Sequence, residues 1–370
     1  MEIFSELNDF FSKILSAIIL FFILPLTAIS VIILLIQYLY FKIKSDYENF
    51  NFKKYFLSNF KLIIPIYIGL FCIYFSFRNI NFSDFTKYFY EINYLWVFVG
   101  IFLGALSHVS RSYRWKYLIE PLGYKLGFIN SVLAVFSAYL INYTIPRAGD
   151  IARATMISKY EKIPLDKTLG TIVAERAVDV ICILTIIAIG LIFEFQKISD
   201  KIISFIEGKQ LSTVFIYLAI LVSTIAITYT IIKKSKYHKS ILNFFSGIIQ
   251  GLTVIFKMEK RIPFILHSIF IWLMYVLMFW ATSMAFVELH EVAFYQFMIS
   301  FTLAALSIML SNGGIGIYPL AVEESLGWYG IQSTTGLAFG WVSWLSQTMM
   351  VIIFGGLSLF ILPFINRNKS

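Results

Sequence analysis

Two polar interruptions of long apolar runs carry the residue types that can do chemistry in this sequence: Asn142-Tyr-Thr-Ile-Pro-Arg-Ala-Gly-Asp150 and Ser311-Asn-Gly-Gly-Ile-Gly-Ile-Tyr-Pro319. In the first, Pro146 lacks an N–H and disfavours helix at the residue before it, while Gly149 permits close approach, so the backbone must open. Arg147, Asp150 and Arg153 follow at i, i+3 and i+6; neighbours in this set can pair, and one positive charge is left for an anionic group such as a lipid phosphate. Arginine suits that task as a permanently charged, bidentate donor. The competing reading is that these charges anchor a helix end at the cytoplasmic interface. Glu175 and Asp179 lie one helical turn apart in the apolar run that follows, with Arg176 beside them, and their expected partners are Arg147 and Arg153. Such a network either lines a cavity or clamps the break to its scaffold, and the two roles are compatible.

In the second break, Gly313, Gly314 and Gly316 make a segment that can bend and admit another backbone, with Asn312 and Pro319 at its flanks. No strand precedes these glycines and no Lys-Ser or Lys-Thr follows, so this is not a nucleotide-binding loop. Glu323 and Glu324 come next, as a proton- or cation-responsive site, a partner for a cationic head group, or a solvated outer rim. Trp115, Trp328 and Tyr329 read as interface anchors, and Arg111 and Arg114 are placed with Trp115 at the lipid head groups. The four histidines have no metal-ligand spacing, and there is no Gly-x-Ser-x-Gly elbow. No catalytic residue, metal or cofactor is expected.

The elements that must position these residues are membrane helices. A chain of 370 residues that is 59% hydrophobic and 14% charged, with mean hydropathy +0.80, is not an ordinary soluble domain. The net charge of +9 falls mostly between apolar segments, where it orients spans and meets anionic head groups, so nucleic acid is a poor partner. Cys72 and Cys182 sit within apolar runs and make no disulfide framework. Spans are expected near 16–41, 61–77, 94–110, 168–195, 211–232, 262–288 and 334–364; the first is too long for a signal-peptide core and reads as retained. The remaining pieces, 128–158 and 293–330, each hold a helix-length run, the polar break and a shorter run. Each is a span plus a surface helix, or a hairpin that enters and leaves on one side.

Basic loops after 16–41, 94–110 and 211–232 are expected in the cytoplasm, and the poorly basic connections 78–93 and 289–292 outside. Both flanks of 128–158 are basic and both flanks of 293–330 lack positive charge, as hairpins entering from the cytoplasm and from outside would show. The expected fold class is therefore an all-α integral membrane protein with about seven spanning helices and two re-entrant helical hairpins. Residues 1–60 form an extra N-terminal helix and linker, and 61–370 the transmembrane domain. Within it, 61–195 and 211–364 repeat the order span, span, hairpin, span with opposite orientation, the inverted-repeat organisation that places transporter sites at the membrane midplane.

Four blocks, Arg111-Ser-Tyr-Arg-Trp-Lys-Tyr-Leu118, Asn142 to Arg153, Gly170-Thr-Ile-Val-Ala-Glu-Arg-Ala-Val-Asp179 and Gly313-Gly-Ile-Gly316, resemble the transmembrane region of lysylphosphatidylglycerol synthases. More closely, the chain is similar to the stand-alone, flippase-like proteins of that superfamily over roughly 61–364. In two-domain synthases this region is associated with moving the lipid product between leaflets, and a separate soluble domain performs aminoacyl transfer. No such domain is expected here. The resemblance implies translocation of an anionic phospholipid or lipid-linked substrate across the cytoplasmic membrane, with membrane lipids as partners. The alternatives are an intramembrane transferase using Glu175, Asp179 and Arg147, and a channel or ion-coupled carrier gated by the glycine-rich break.

Overall fold

The computed structural model describes residues 68–77, 82–144, 148–195, 258–308 and 312–367, with the isolated positions 199 and 203, and every regular element among them is helical. The expected spans 16–41 and 211–232, the first part of 61–77, and the break residues Pro146, Arg147 and Ser311 lie outside the described residues. The ten helices are α1 (Ile68–Phe77), α2 (Phe82–Glu91), α3 (Tyr94–Ile119), α4 (Phe128–Thr144), α5 (Ala148–Glu161), α6 (Leu165–Phe193), α7 (Arg261–Ser283), α8 (Phe294–Ser307), α9 (Ile317–Gly327) and α10 (Ser333–Ile365). Four of them, α3, α6, α7 and α10, are long and apolar enough to cross a membrane.

Helix limits follow local chemistry. Asn93 caps α3, its side chain accepting the Leu95 N–H at 3.1 Å, and Pro164, whose fixed φ suits a helix start, precedes α6. Where helices cross, small residues let backbones approach, as expected where lipid supplies no hydrophobic drive for association. Helices α3 and α7 run antiparallel. Gly100 faces Thr282, Gly104 faces Met278, Ser110 bonds His267 at 2.8 Å, and Glu120 pairs with Lys260 at 2.9 Å. On α10, Gly340 abuts the Pro319 backbone of α9 and Gly355 abuts α4 at Phe136 and Leu140.

The segments carrying the two breaks fold back on themselves. Helices α4 and α5 pack together, and Asn130 near the start of α4 donates to Glu161 at the end of α5 at 2.6 Å, so both outer ends lie side by side. A reciprocal amide pair between Asn130 and Asn366, at 2.7 and 3.0 Å, ties that end to the foot of α10. Helices α8 and α9 pair in the same way around the second break. The helix contacts form a patterned set: α4 packs on α10 as α8 packs on α6, and α5 on α6 as α9 on α10. Two apolar cores result, one around Phe279, Phe297 and Phe339, the other around Trp115, Ile157 and Phe264.

Candidate functional site

The sequence pattern puts Arg111 and Arg114 one turn apart on α3, Asp150 and Arg153 one turn apart on α5, and Glu175, Arg176 and Asp179 on α6. Packing of α3 and α5 against α6 brings all seven together. Glu175, with no exposed surface, accepts from Arg111 at 2.6 Å, from Arg153 at 3.1 and 3.4 Å, and lies 3.3 Å from Arg114. Asp179 accepts from Arg111 at 2.6 Å, Arg114 at 3.1 Å and Arg176 at 3.2 Å. Asp150 holds Arg176 through two bonds, at 2.7 and 3.1 Å, a bidentate fork. Among the described residues, four guanidinium groups therefore face three carboxylates. One positive charge is in surplus.

Burial grades the cluster. Arg111, Arg114, Arg153 and Glu175 are sealed inside, whereas the Arg176 and Asp150 side chains keep 39% and 34% of their surface exposed. The accessible face is thus the Asp150–Arg176 pair. The sealed part is walled by apolar and weakly polar groups: the Arg153 guanidinium lies 4.4 Å over the Trp115 ring, Arg114 lies 5.2 Å over Phe264, and Arg114 also donates to Ser268 at 2.7 Å. The Nε atoms of Arg111, Arg114 and Arg153 are buried without a partner among the described residues.

These positions correct two expectations. Arg111, Arg114 and Trp115 are interior residues rather than head-group anchors, and the Trp115 indole donates to Thr171 at 2.9 Å. The reason is packing: the α3 stripe Gly100, Gly104, Ser107, His108, Arg111 and Arg114 recurs at helical spacing and faces the bundle. Asp179 takes its partners from α3 and from Arg176, not from Arg153, and Asp150 turns to Arg176 and lies 4.0 Å from Arg153. Arg153 does pair with Glu175; Arg147 lies outside the described residues.

The first break closes on itself, with the Asn142 side chain accepting the Gly149 N–H at 2.8 Å. A Cβ at Gly149 would strike the Ala138 carbonyl and Asn142, so only glycine fits. In the second break Gly313, Gly314 and Gly316 all have positive φ, of 63°, 79° and 72°. Asn312 opens this turn, and its side chain lies outside the described residues. The two breaks meet: a Cβ on Gly313 would lie 2.7 Å from the Tyr143 ring, the Tyr143 hydroxyl is 3.2 Å from Thr348, and Trp344 donates to the Gly313 carbonyl at 2.7 Å. One turn before Tyr143, the Tyr139 hydroxyl lies 3.3 Å from that of Tyr275, and the His108 ring packs tilted against Tyr139 with centroids 4.2 Å apart. The sequence reading sets His108 aside with the other histidines for want of metal-ligand spacing and does not single out Tyr139 or Tyr275; polar aromatic residues on the inner faces of α3, α4 and α7 are the available signal.

Glu323 and Glu324 are away from the arginine cluster and line a separate cavity of about 290 Å³ with Trp328 and Ser333. Ser333 donates to one Glu323 carboxylate oxygen, and the other is buried without a partner among the described residues. Within the described part of the second half, 258–367, no charged side chain is fully buried, so the buried charge belongs to the first.

Residues 62–355 match the family model described as the lysylphosphatidylglycerol synthase TM region, a stretch that takes in the whole charge cluster and both breaks. The chain belongs to this family. As a member of the lysylphosphatidylglycerol synthase TM-region family it is an integral membrane protein. It is 32% identical over 166 residues to a UPF0104 membrane protein of Methanocaldococcus jannaschii, a match covering 43% of this chain and 46% of that relative. The chain thus spans about half the length of the curated relative it matches. No solved structure matches it.

Proposed function

We propose that this member of the lysylphosphatidylglycerol synthase TM-region family is a flippase-like translocase of an anionic phospholipid or lipid-linked substrate across the cytoplasmic membrane. The observation that carries the reading is the surplus positive charge of a buried cluster whose reachable face is the Asp150–Arg176 pair. Intramembrane charge is costly and persists where it serves a pathway or a bound ion. A head-group phosphate exchanging with Asp150 for Arg176 would neutralise that charge. From there, the hydroxyls of Tyr139 and Tyr275, then Tyr143 and Thr348, lead along α4 to the second break and supply polar contacts for a head group leaving the cluster.

The topology belongs to the same proposal: seven crossings, with α4–α5 re-entering from the cytoplasm and α8–α9 from outside. Exchanging α3 with α7, α4 with α8, α5 with α9 and α6 with α10 returns the same set of packed pairs, and α3 runs antiparallel to α7, which supports an inverted repeat. The transferase alternative is weakened because Glu175 and Asp179 are each held by three arginines, leaving neither carboxylate free as a base.

The test is reconstitution of the full chain into liposomes carrying head-group-labelled phosphatidylglycerol. Leaflet exchange that Arg176→Gln slows, with the lipid chemically unchanged, is the expected result. A new lipid species would assign the transferase, and ion conductance without lipid exchange the channel.

A further inference from the structure

Helix α3 presents a second face, opposite the arginines. Leu106, Val109, Ser110 and Tyr113 recur at helical spacing and meet Leu266, His267, Ile269 and Leu273 of α7 across an open groove of about 650 Å³. That volume is in the range of ligand-binding clefts, about 300–1,000 Å³. The groove is apolar for most of its length and polar at one end. There Ser110 and His267 bond each other at 2.8 Å, the His267 ring packs tilted against Tyr113 with centroids 5.1 Å apart, and the Lys116 ammonium stands 3.5 Å over the Tyr113 ring. Lys116 forms no ion pair among the described residues; Glu120, one turn on, is engaged by Lys260.

We propose that this groove binds one anionic phospholipid, with its phosphate at Lys116, its glycerol region at Tyr113 and His267, and one acyl chain along Val109, Leu106, Ile269 and Leu273. Length, charge and ring placement agree. Ten residues separate Lys116 from Leu106, about 15 Å at 1.5 Å per residue, which is one leaflet of a hydrocarbon core about 30 Å thick. A lysine with no ion pair among the described residues, set beside aromatic rings at the end of a long apolar helix, is the arrangement that meets anionic head groups. This lipid is a bound partner held outside the arginine cluster, and the assignment does not rest on translocation.

The test is native mass spectrometry of the full chain released from micelles containing phosphatidylglycerol or phosphatidylcholine of identical acyl chains. Wild type is expected to retain one phosphatidylglycerol in preference to phosphatidylcholine. Lys116→Gln lowers the phosphatidylglycerol affinity about five-fold, the effect of one basic side chain at an anionic surface, and leaves phosphatidylcholine unchanged. Ile269→Trp, at an exposed position in the groove, displaces both lipids, whereas Leu184→Trp, exposed on α6, displaces neither. Equal retention of the two lipids by wild type, or phosphatidylglycerol retention untouched by both Lys116→Gln and Ile269→Trp, overturns the assignment. So does a dimer that Ile269→Trp dissociates, because the groove would then belong to a second copy. Arg176→Gln separates this site from the translocation reading, since it leaves the first bound phosphatidylglycerol in place.

Discussion

Glu175→Gln is the sharpest perturbation of the charge cluster. The side chain keeps its shape and loses its charge, so three buried guanidinium groups at 2.6 to 3.4 Å lose the carboxylate they share. The surplus among the described residues rises from one positive charge to two, and only Asp179 remains to serve Arg111 and Arg114. Leaving a buried charge uncompensated costs about 3–5 kcal/mol. With an unfolding entropy of about 2.1 cal/mol/K per residue, a chain of this length would melt roughly 4–6 °C lower. Residues that stay helical in detergent contribute less entropy, which enlarges the shift. Thermal unfolding in detergent, followed by the loss of monodisperse protein on size exclusion, reads it. Removing a partner as well should return part of the loss: Glu175→Gln with Arg153→Gln is expected to cost about 0.5–3 kcal/mol less than the sum of the two single changes. A wild-type midpoint for Glu175→Gln, or strict additivity in the double variant, would refute the account of Glu175 as the centre of the cluster.

Arg176→Gln, on the reachable face, is expected to slow lipid exchange in liposomes with a smaller change in melting than Glu175→Gln, and Arg176→Lys to restore exchange only in part, because an ammonium cannot form the fork to Asp150. Gly316→Ala places a Cβ against the Gly69 carbonyl at positive φ and should lower the melting midpoint by the equivalent of about 1–3 kcal/mol; Gly356→Ala, in open space on α10, should be neutral or stabilising by about 0.5–1 kcal/mol. With Cys72 and Cys182 replaced by serine, single cysteines within 142–150 should label with an impermeant thiol reagent only from the cytoplasm and those within 311–319 only from outside; labelling of both from one face would remove the inverted repeat.

The helix limits were close to legible because hydropathy reports them directly: 168–195 became Leu165–Phe193 and 334–364 became Ser333–Ile365. Proline and glycine marked the breaks for the same kind of local reason. Helix α4 ends at Thr144 and α5 begins at Ala148, on either side of the expected break, and the second break uses three glycines where φ is positive. Partner choice was less legible. Asp150 has Arg153 at i+3 in sequence yet pairs with Arg176, because the packing of α5 on α6 places a better-aligned fork across the interface. Arg111, Arg114 and Trp115 were read by composition as a basic, aromatic helix end. Depth within the bundle is set by which face of α3 meets α5 and α6, and a hydropathy window averages over faces. The small-residue stripe Gly100, Gly104, Ser107 held that information.

Among the described residues, the buried charged side chains lie on α3, α5 and α6 and at Glu194 just past the end of α6, and the corresponding helices α7, α9 and α10 bury none, although the packed pairs exchange with one another. In the proposed translocase, matched halves with one-sided chemistry would be loaded unequally from the two leaflets: an anion would meet arginine from one side and tyrosine, tryptophan and backbone carbonyl from the other. That inequality changes the rates at which the two mouths fill, by the same factor forwards and backwards, since affinity alone cannot drive a cycle. Left to itself such a molecule equilibrates its ligand, and the steady distribution is fixed by whatever consumes the ligand on the far side.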